Sequence, residues 1–286
     1  MAHPAVDLTP PPIHQTVLAG DGGLAFDALV AGPPDGELVV LLHGFPQSAA
    51  MWTPQLEALA ANGYRAVAFD QRGYSPGARP AATADYRIRH LVGDVLAVAG
   101  TRPFHLVGHD WGAVVAWHVA GRHPERVRTL TALSVPHPIA FAVALASPSD
   151  DDQRNRSAYI SFFREDGTAE DLLLAGGLDG MLRASGYPLD VGERVAAMSE
   201  PGALTAALNW YRAMDAGLAA VGKITVPTLY VWSTEDVALG RQAAEAAAAY
   251  VDGPYRFEVL DGVSHWIAEQ VPDVLNRLLL EHLGGQ

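Results

Sequence analysis

The pentapeptide Gly108-His109-Asp110-Trp111-Gly112 places an aspartate where chemistry is easiest to do. An apolar stretch at 104–107 precedes it, and residues 111–123 follow with helical spacing, so Asp110 stands where a strand turns sharply into a helix. The flanking glycines permit that turn and expose the central side chain, the layout of a nucleophile elbow. Such elbows usually carry serine, which a base must deprotonate before it attacks. An aspartate is already anionic at neutral pH. A carboxylate nucleophile suits displacement at a saturated carbon, such as that of an epoxide or alkyl halide, and suits ester or amide hydrolysis poorly. An isolated Asp at a strand–helix junction is most often a helix cap. Here the paired glycines and two downstream partners favour chemistry. Asp236 ends Trp232-Ser233-Thr234-Glu235-Asp236, with Glu235 as its rival, and His265 lies in Gly262-Val263-Ser264-His265-Trp266.

The elements that must position these groups read as alternating strands and helices. Residues 14–19 and 24–31 form an opening strand pair turned at Asp21-Gly22-Gly23, and Leu38–Leu42 is an aliphatic run suited to a strand buried on both faces. Helices are expected at 49–62, 86–99 and 111–123, with strands at 64–69, 104–107 and 127–134. After Val135-Pro136-His137-Pro138 the character changes. Residues 139–221 carry helical patterns, an acidic run at 149–152 and no good strand. Alternation resumes with strands at 226–232 and 255–260 and helices around 241–250 and 271–283. This pattern implies an α/β core with a parallel sheet covered on both faces, interrupted by a helical insertion. Asp110, Asp236 and His265 each follow a strand, and ligands in open α/β sheets gather at that edge.

Composition limits the partners. With 19 basic and 32 acidic residues the formal charge is −13, which argues against nucleic acid and anionic membranes. The absence of cysteine excludes disulfides, thiolate metal sites and Cys catalysis. Residues 1–12 lack a basic region followed by an apolar run, so no signal peptide is expected, and no apolar stretch is long enough to span a bilayer. A cytoplasmic monomer or homodimer is the expectation.

The order nucleophile, acid, histidine resembles that of the α/β-hydrolase superfamily. His43-Gly44-Phe45-Pro46, with the aspartate elbow, resembles its epoxide hydrolase branch over nearly the whole length. The resemblance implies an eight-stranded, mostly parallel sheet flanked by helices, with core segments 1–137 and 223–286 and a helical cap at 138–222. It implies an oxyanion hole from the N–H groups of Phe45 and Trp111, and it favours Asp236 over Glu235. Two cap tyrosines that bind and protonate the epoxide oxygen would be Tyr211, in Asn209-Trp210-Tyr211-Arg212, and Tyr159, in Tyr159-Ile160-Ser161-Phe162. The implied reaction opens an apolar epoxide through an ester on Asp110, which water activated by His265–Asp236 then hydrolyses to a diol. No metal or organic cofactor is called for. Phe45, Trp111, Trp210, Phe141 and Trp266 are candidates to line the substrate site, although such aromatics, with Trp52, Phe162 and Trp232, can equally fill core. His43 and His109 are expected to hold loops, and His137 to sit at the hinge into the cap.

Haloalkane dehalogenases share the aspartate elbow and its following tryptophan. Many place Asn where Phe45 stands, although some use a cap tryptophan. Fluoroacetate dehalogenases share the phenylalanine but hold their substrate's carboxylate with arginines where this chain has Trp111 and Val114. A non-catalytic hydrolase fold used for binding would be expected to have a damaged triad.

Overall fold

A computed structural model describes residues 12–148 and 151–285. Residues 1–11 of the N-terminal stretch, and Ser149 with Asp150 of the acidic run, lie outside these.

Eight strands form one sheet: β1 (His14–Ala19), β2 (Ala25–Ala31), β3 (Leu38–Leu42), β4 (Arg65–Phe69), β5 (Phe104–His109), β6 (Val127–Leu133), β7 (Thr228–Glu235) and β8 (Tyr255–Ser264). Their order is β1-β2-β4-β3-β5-β6-β7-β8, with β1–β2 and β2–β4 antiparallel and every other pair parallel. The central strands are aliphatic because both faces are covered. In β3, Val40 and Leu42 face one apolar cluster while Val39 and Leu41 face the other. This is the two-residue alternation of a pleated strand buried on both sides.

The covering core helices are α1 (Thr53–Ala61), α2 (Ile88–Ala99) and α3 (Trp111–Arg122). Between β6 and β7 the described residues form helices and no named strand: α4 (Pro138–Ala146), α5 (Asp152–Arg156), α6 (Tyr159–Phe163), α7 (Thr168–Leu172), α8 (Leu178–Ala184), α9 (Val191–Met198) and α10 (Ala203–Arg212), with short π and 3₁₀ turns. The last helices are α11 (Arg241–Ala246), α12 (Ile267–Gln270) and α13 (Pro272–Gly284). The two ends of the helical segment meet at one side chain. His137 Nδ1 accepts from the Ile139 N–H at 3.3 Å, its Nε2 bonds Gly222 O at 3.2 Å, and its ring stacks on Tyr250. No described helix is long and apolar enough to cross a membrane.

Two strands run further than their sequence pattern suggests. The β7–β8 ladder continues past 232 and 260 to pair Glu235 with Ser264, after a register shift. Asp236 and His265 are the next residues on these neighbouring parallel strands, so the ladder itself delivers them side by side. The equivalent device on the other side pairs Leu42 with Gly108, which sets the loop after β3 beside Asp110. The loop after β4 is fixed in its turn. Buried Arg72 forks onto both oxygens of Asp94 at 2.7 Å each, Asp70 Oδ1 accepts from the Ala49 N–H at 2.6 Å, and the Gln71 N–H donates to His43 Nε2 at 3.0 Å.

Candidate active site

Asp110 adopts φ 52° and ψ −123° between β5 and α3, a conformation that L-residues avoid without surrounding constraint. The constraint is close backbone packing. A Cβ on Gly108 would meet Gly112 O at 2.3 Å, and one on Gly112 would meet Leu42 O at 2.1 Å. Only glycine lets the elbow sit this tightly against β3, and Gly44 lets the β3 loop press against the Asp110 carboxylate itself.

The sheet side of Asp110 is held largely by hydrogen bonds. The Phe45 N–H donates to Oδ1 at 2.8 Å, and the Trp111 N–H helps to lower the carboxyl's proton affinity. His265 Nε2 lies 3.7 Å from Oδ2, an ion-pair contact too long for a hydrogen bond. His265 Nδ1 bonds Asp236 Oδ2 at 2.9 Å, and Asp236 Oδ1 accepts from the N–H groups of Ala238 (2.8 Å) and Leu239 (3.0 Å). Glu235 is exposed at the strand end and takes no part. The backbone oxygen of His265 is itself held, by His109 Nε2–H at 2.9 Å and by the Ser134 hydroxyl at 3.1 Å. Burial pushes His109 down to about 4, so it is neutral, and donation from Nε2 fixes its tautomer.

Charge follows the geometry. Burial alone would raise the Asp110 carboxyl, but the contact and charge of His265, with the Trp111 N–H, hold it below its ordinary value. Burial alone would lower His265, but the charge of Asp236 and the contact with Asp110 raise it to about 10. In the resting protein the histidine is therefore an imidazolium between two carboxylates.

Tyr159 and Tyr211 stand on the helical side. Their rings stand edge-on with centroids 6.2 Å apart. Burial, with the charge of Asp110, pushes both phenols well above their usual range, so both are protonated donors. The Trp111 ring packs edge-on against Tyr211, with centroids 5.2 Å apart. Phe163 packs edge-on against both tyrosines.

Two cavities meet here. The larger, about 340 Å³, is lined by Asp110, Trp111, Phe141, Tyr159 and Tyr211 among mostly apolar neighbours. The smaller, about 140 Å³, is lined by Phe45, Asp110, His265, Trp266 and the same two tyrosines. The structure thus brings together every candidate catalytic, oxyanion and substrate-lining residue of the sequence except Trp210. That indole lies behind the site, buried, with Nε1 donating to Arg72 O at 2.7 Å and its ring against Trp111. It lines neither cavity, because on α10 it faces the loop after β4 while Tyr211, one residue on, faces Asp110. Sequence reasoning missed the Ala238 and Leu239 amides, and Ser134, because backbone and hydroxyl donors carry no pattern of their own.

A model of the α/β hydrolase fold family matches residues 37–272. The AB hydrolase superfamily protein YfhM of Bacillus subtilis is 35% identical over 277 residues, covering 92% of this chain and 96% of that protein. Epoxide hydrolase A of Mycobacterium tuberculosis is 34% identical, covering 94% and 97%. The chain belongs to the α/β-hydrolase family. Within the α/β-hydrolases it falls in the epoxide hydrolase branch. A crystal structure of epoxide hydrolase A from Mycobacterium thermoresistibile superposes with a TM-score of 0.83 at 29% identity, covering 96% of this chain and 99% of that one.

Proposed function

We propose that this α/β-hydrolase converts apolar epoxides to vicinal diols through a covalent ester on Asp110. The observation that carries the reading is the pair of protonated phenols, Tyr159 and Tyr211, facing a nucleophilic carboxylate across a cavity. Residues 138–222 act as the cap that supplies them. An epoxide oxygen bound by the two hydroxyls leaves one ring carbon open to Asp110 Oδ2. Attack breaks the C–O bond, and the oxygen takes its proton from a tyrosine, which is re-protonated from the His265 imidazolium. Esterification removes the Asp110 charge, so the interactions that raised His265 weaken and the neutral imidazole becomes a base. It takes a proton from water, which attacks the ester carbonyl carbon. The N–H groups of Phe45 and Trp111 hold the resulting oxyanion, where one such donor is worth about 3 kcal/mol. Collapse releases the diol and restores the Asp110 carboxylate and the imidazolium.

The cavities describe the substrate. A dry site of roughly 150 Å³ holds benzene. The larger chamber therefore accepts an aromatic or medium aliphatic substituent with room to spare. The smaller one must also hold the water that His265 activates, leaving space for a small group. Carbon–halogen cleavage by the same Asp110 is the second reading. Against it, the Trp111 ring is packed edge-on against Tyr211, and position 45 offers a phenyl ring in place of a halide donor.

The test is His265→Gln with a styrene-type epoxide. Ring opening should proceed once and stop, leaving the Asp110 peptide heavier by the mass of the epoxide. An unmodified Asp110 peptide after consumption of one equivalent of epoxide rules out the covalent route.

A further inference from the structure

Glu269 takes no part in the steps above, yet it lies within their machinery. It is on α12, four residues after His265. Its Oε1 accepts from the Gln47 side-chain amide, and its Oε2 is buried without a hydrogen-bond partner. Gln47 belongs to the loop that carries the Phe45 N–H, where its own N–H closes a turn onto Gly44 O at 2.8 Å. One side-chain contact therefore joins the loop that donates to Asp110 with the loop that carries His265. The charged and titratable groups around Glu269 and Gln47 are His265 from the β8 end and Arg194, Glu193 and Tyr187 from the α9 region. Burial pushes the Glu269 carboxyl up to about 7 against the opposing charges of His265 and Arg194. The carboxyl thus titrates close to neutral pH.

We propose that Glu269 is a positioning residue of the hydrolytic half-reaction: through Gln47 it holds the oxyanion loop against the histidine loop, and it presents a carboxyl charge to His265. The inference rests on the covalent route proposed above. Coupling between two titrating groups is mutual, so the anion at 269 raises the proton affinity of the imidazole as the imidazolium lowers that of Glu269. Replacement by an amide keeps a hydrogen-bonding partner for Gln47 and removes the anion.

Rapid mixing of the full chain with styrene oxide, from pH 5 to 9, separates formation of the alkyl-enzyme from its hydrolysis. In E269Q the alkylation rate should stay as in the wild type. The acid limb of the hydrolysis rate should move to lower pH by about half a unit, the size of one charge acting across several ångströms of screened protein. The exchange Q47E/E269Q puts the carboxyl back across the same hydrogen bond and should return the limb toward its original place. If the E269Q limb coincides with the wild type, or alkylation and hydrolysis fall together in both variants, the inference is overturned while the covalent route stands. A wild type that consumes styrene oxide with no alkyl-enzyme in any variant overturns the covalent route itself, and with it this role for Glu269.

Discussion

The two sides of Asp110 are built differently. On the sheet side, Asp236 and His265 follow a strand ladder, their side chains are tied by hydrogen bonds of 2.8–3.0 Å, and even the His265 backbone oxygen has three donors, from His109, Ser134 and the Ile267 N–H. On the helical side, Tyr159 and Tyr211 are held by ring contacts with Phe45, Phe163 and Trp111 at centroid separations of 5.0–5.7 Å. Hydrogen bonds to backbone fix position and direction, whereas edge-on aromatic contacts fix distance and leave rotation freer. The sheet side is therefore the invariant half of the chemistry. The helical side, which also lines most of the larger chamber, is where substrate preference is adjustable.

The sharpest way to break this contrast is on the sheet side. Asp236→Asn leaves His265 without its counter-charge and invites the wrong tautomer, so steady-state turnover should drop by about 10³–10⁴-fold, with alkyl-enzyme accumulating. Mass spectrometry of the Asp110 peptide checks this, and a variant that slows without accumulating ester would show the histidine to be needed earlier.

A smaller effect is expected across the site. Tyr211→Phe and Tyr159→Phe each leave one phenol on the epoxide oxygen, so each should slow alkylation by about 10-fold to 10²-fold and leave hydrolysis of the ester unchanged. The double variant should lose far more than either, at least the ~10²-fold typical of removing a general acid. Equal slowing of both half-reactions would mean that the tyrosines shape the site without donating to the substrate.

The smallest effect is read in stability. His265 is raised to about 10, so its contribution is present in full below its unfolded value near 6.5 and is lost as pH rises through about 10. Asp110 is lowered, so its contribution is present above the ordinary carboxylate range and is lost as pH falls through its folded value. The melting temperature of the wild type relative to His265→Gln should therefore be most favourable near pH 6 and converge toward pH 10. A difference that stays constant over that range would mean the imidazole is neutral in the resting protein.

What was legible in the sequence follows the same division. The elbow is readable because only glycine fits where an added Cβ would meet backbone oxygens at 2.1–2.3 Å, and the acid and histidine because each ends a β-rich run. The core strands betray themselves as aliphatic runs buried on both faces. The helical segment is harder. Helices α5, α6 and α7 have five residues each, too few to show a period. Trp210 and Tyr211 are adjacent, so one turned into the site and the other away, and nothing local distinguishes an indole that lines a cavity from one that braces a loop. Glu269 reads as a surface acid on a short helix. Its hydrogen-bond partner, Gln47, is 222 residues away.

The Phe45 N–H bond to a single oxygen of Asp110 has a consequence for the history of that carboxylate. On the proposed route the attacking oxygen leaves with the diol and a solvent oxygen takes its place, once per cycle. The oxygen held by the Phe45 amide never enters the substrate. So long as that bond prevents the group from turning over, one oxygen atom of the nucleophile dates from the synthesis of the protein, and the other is only as old as the last molecule it released.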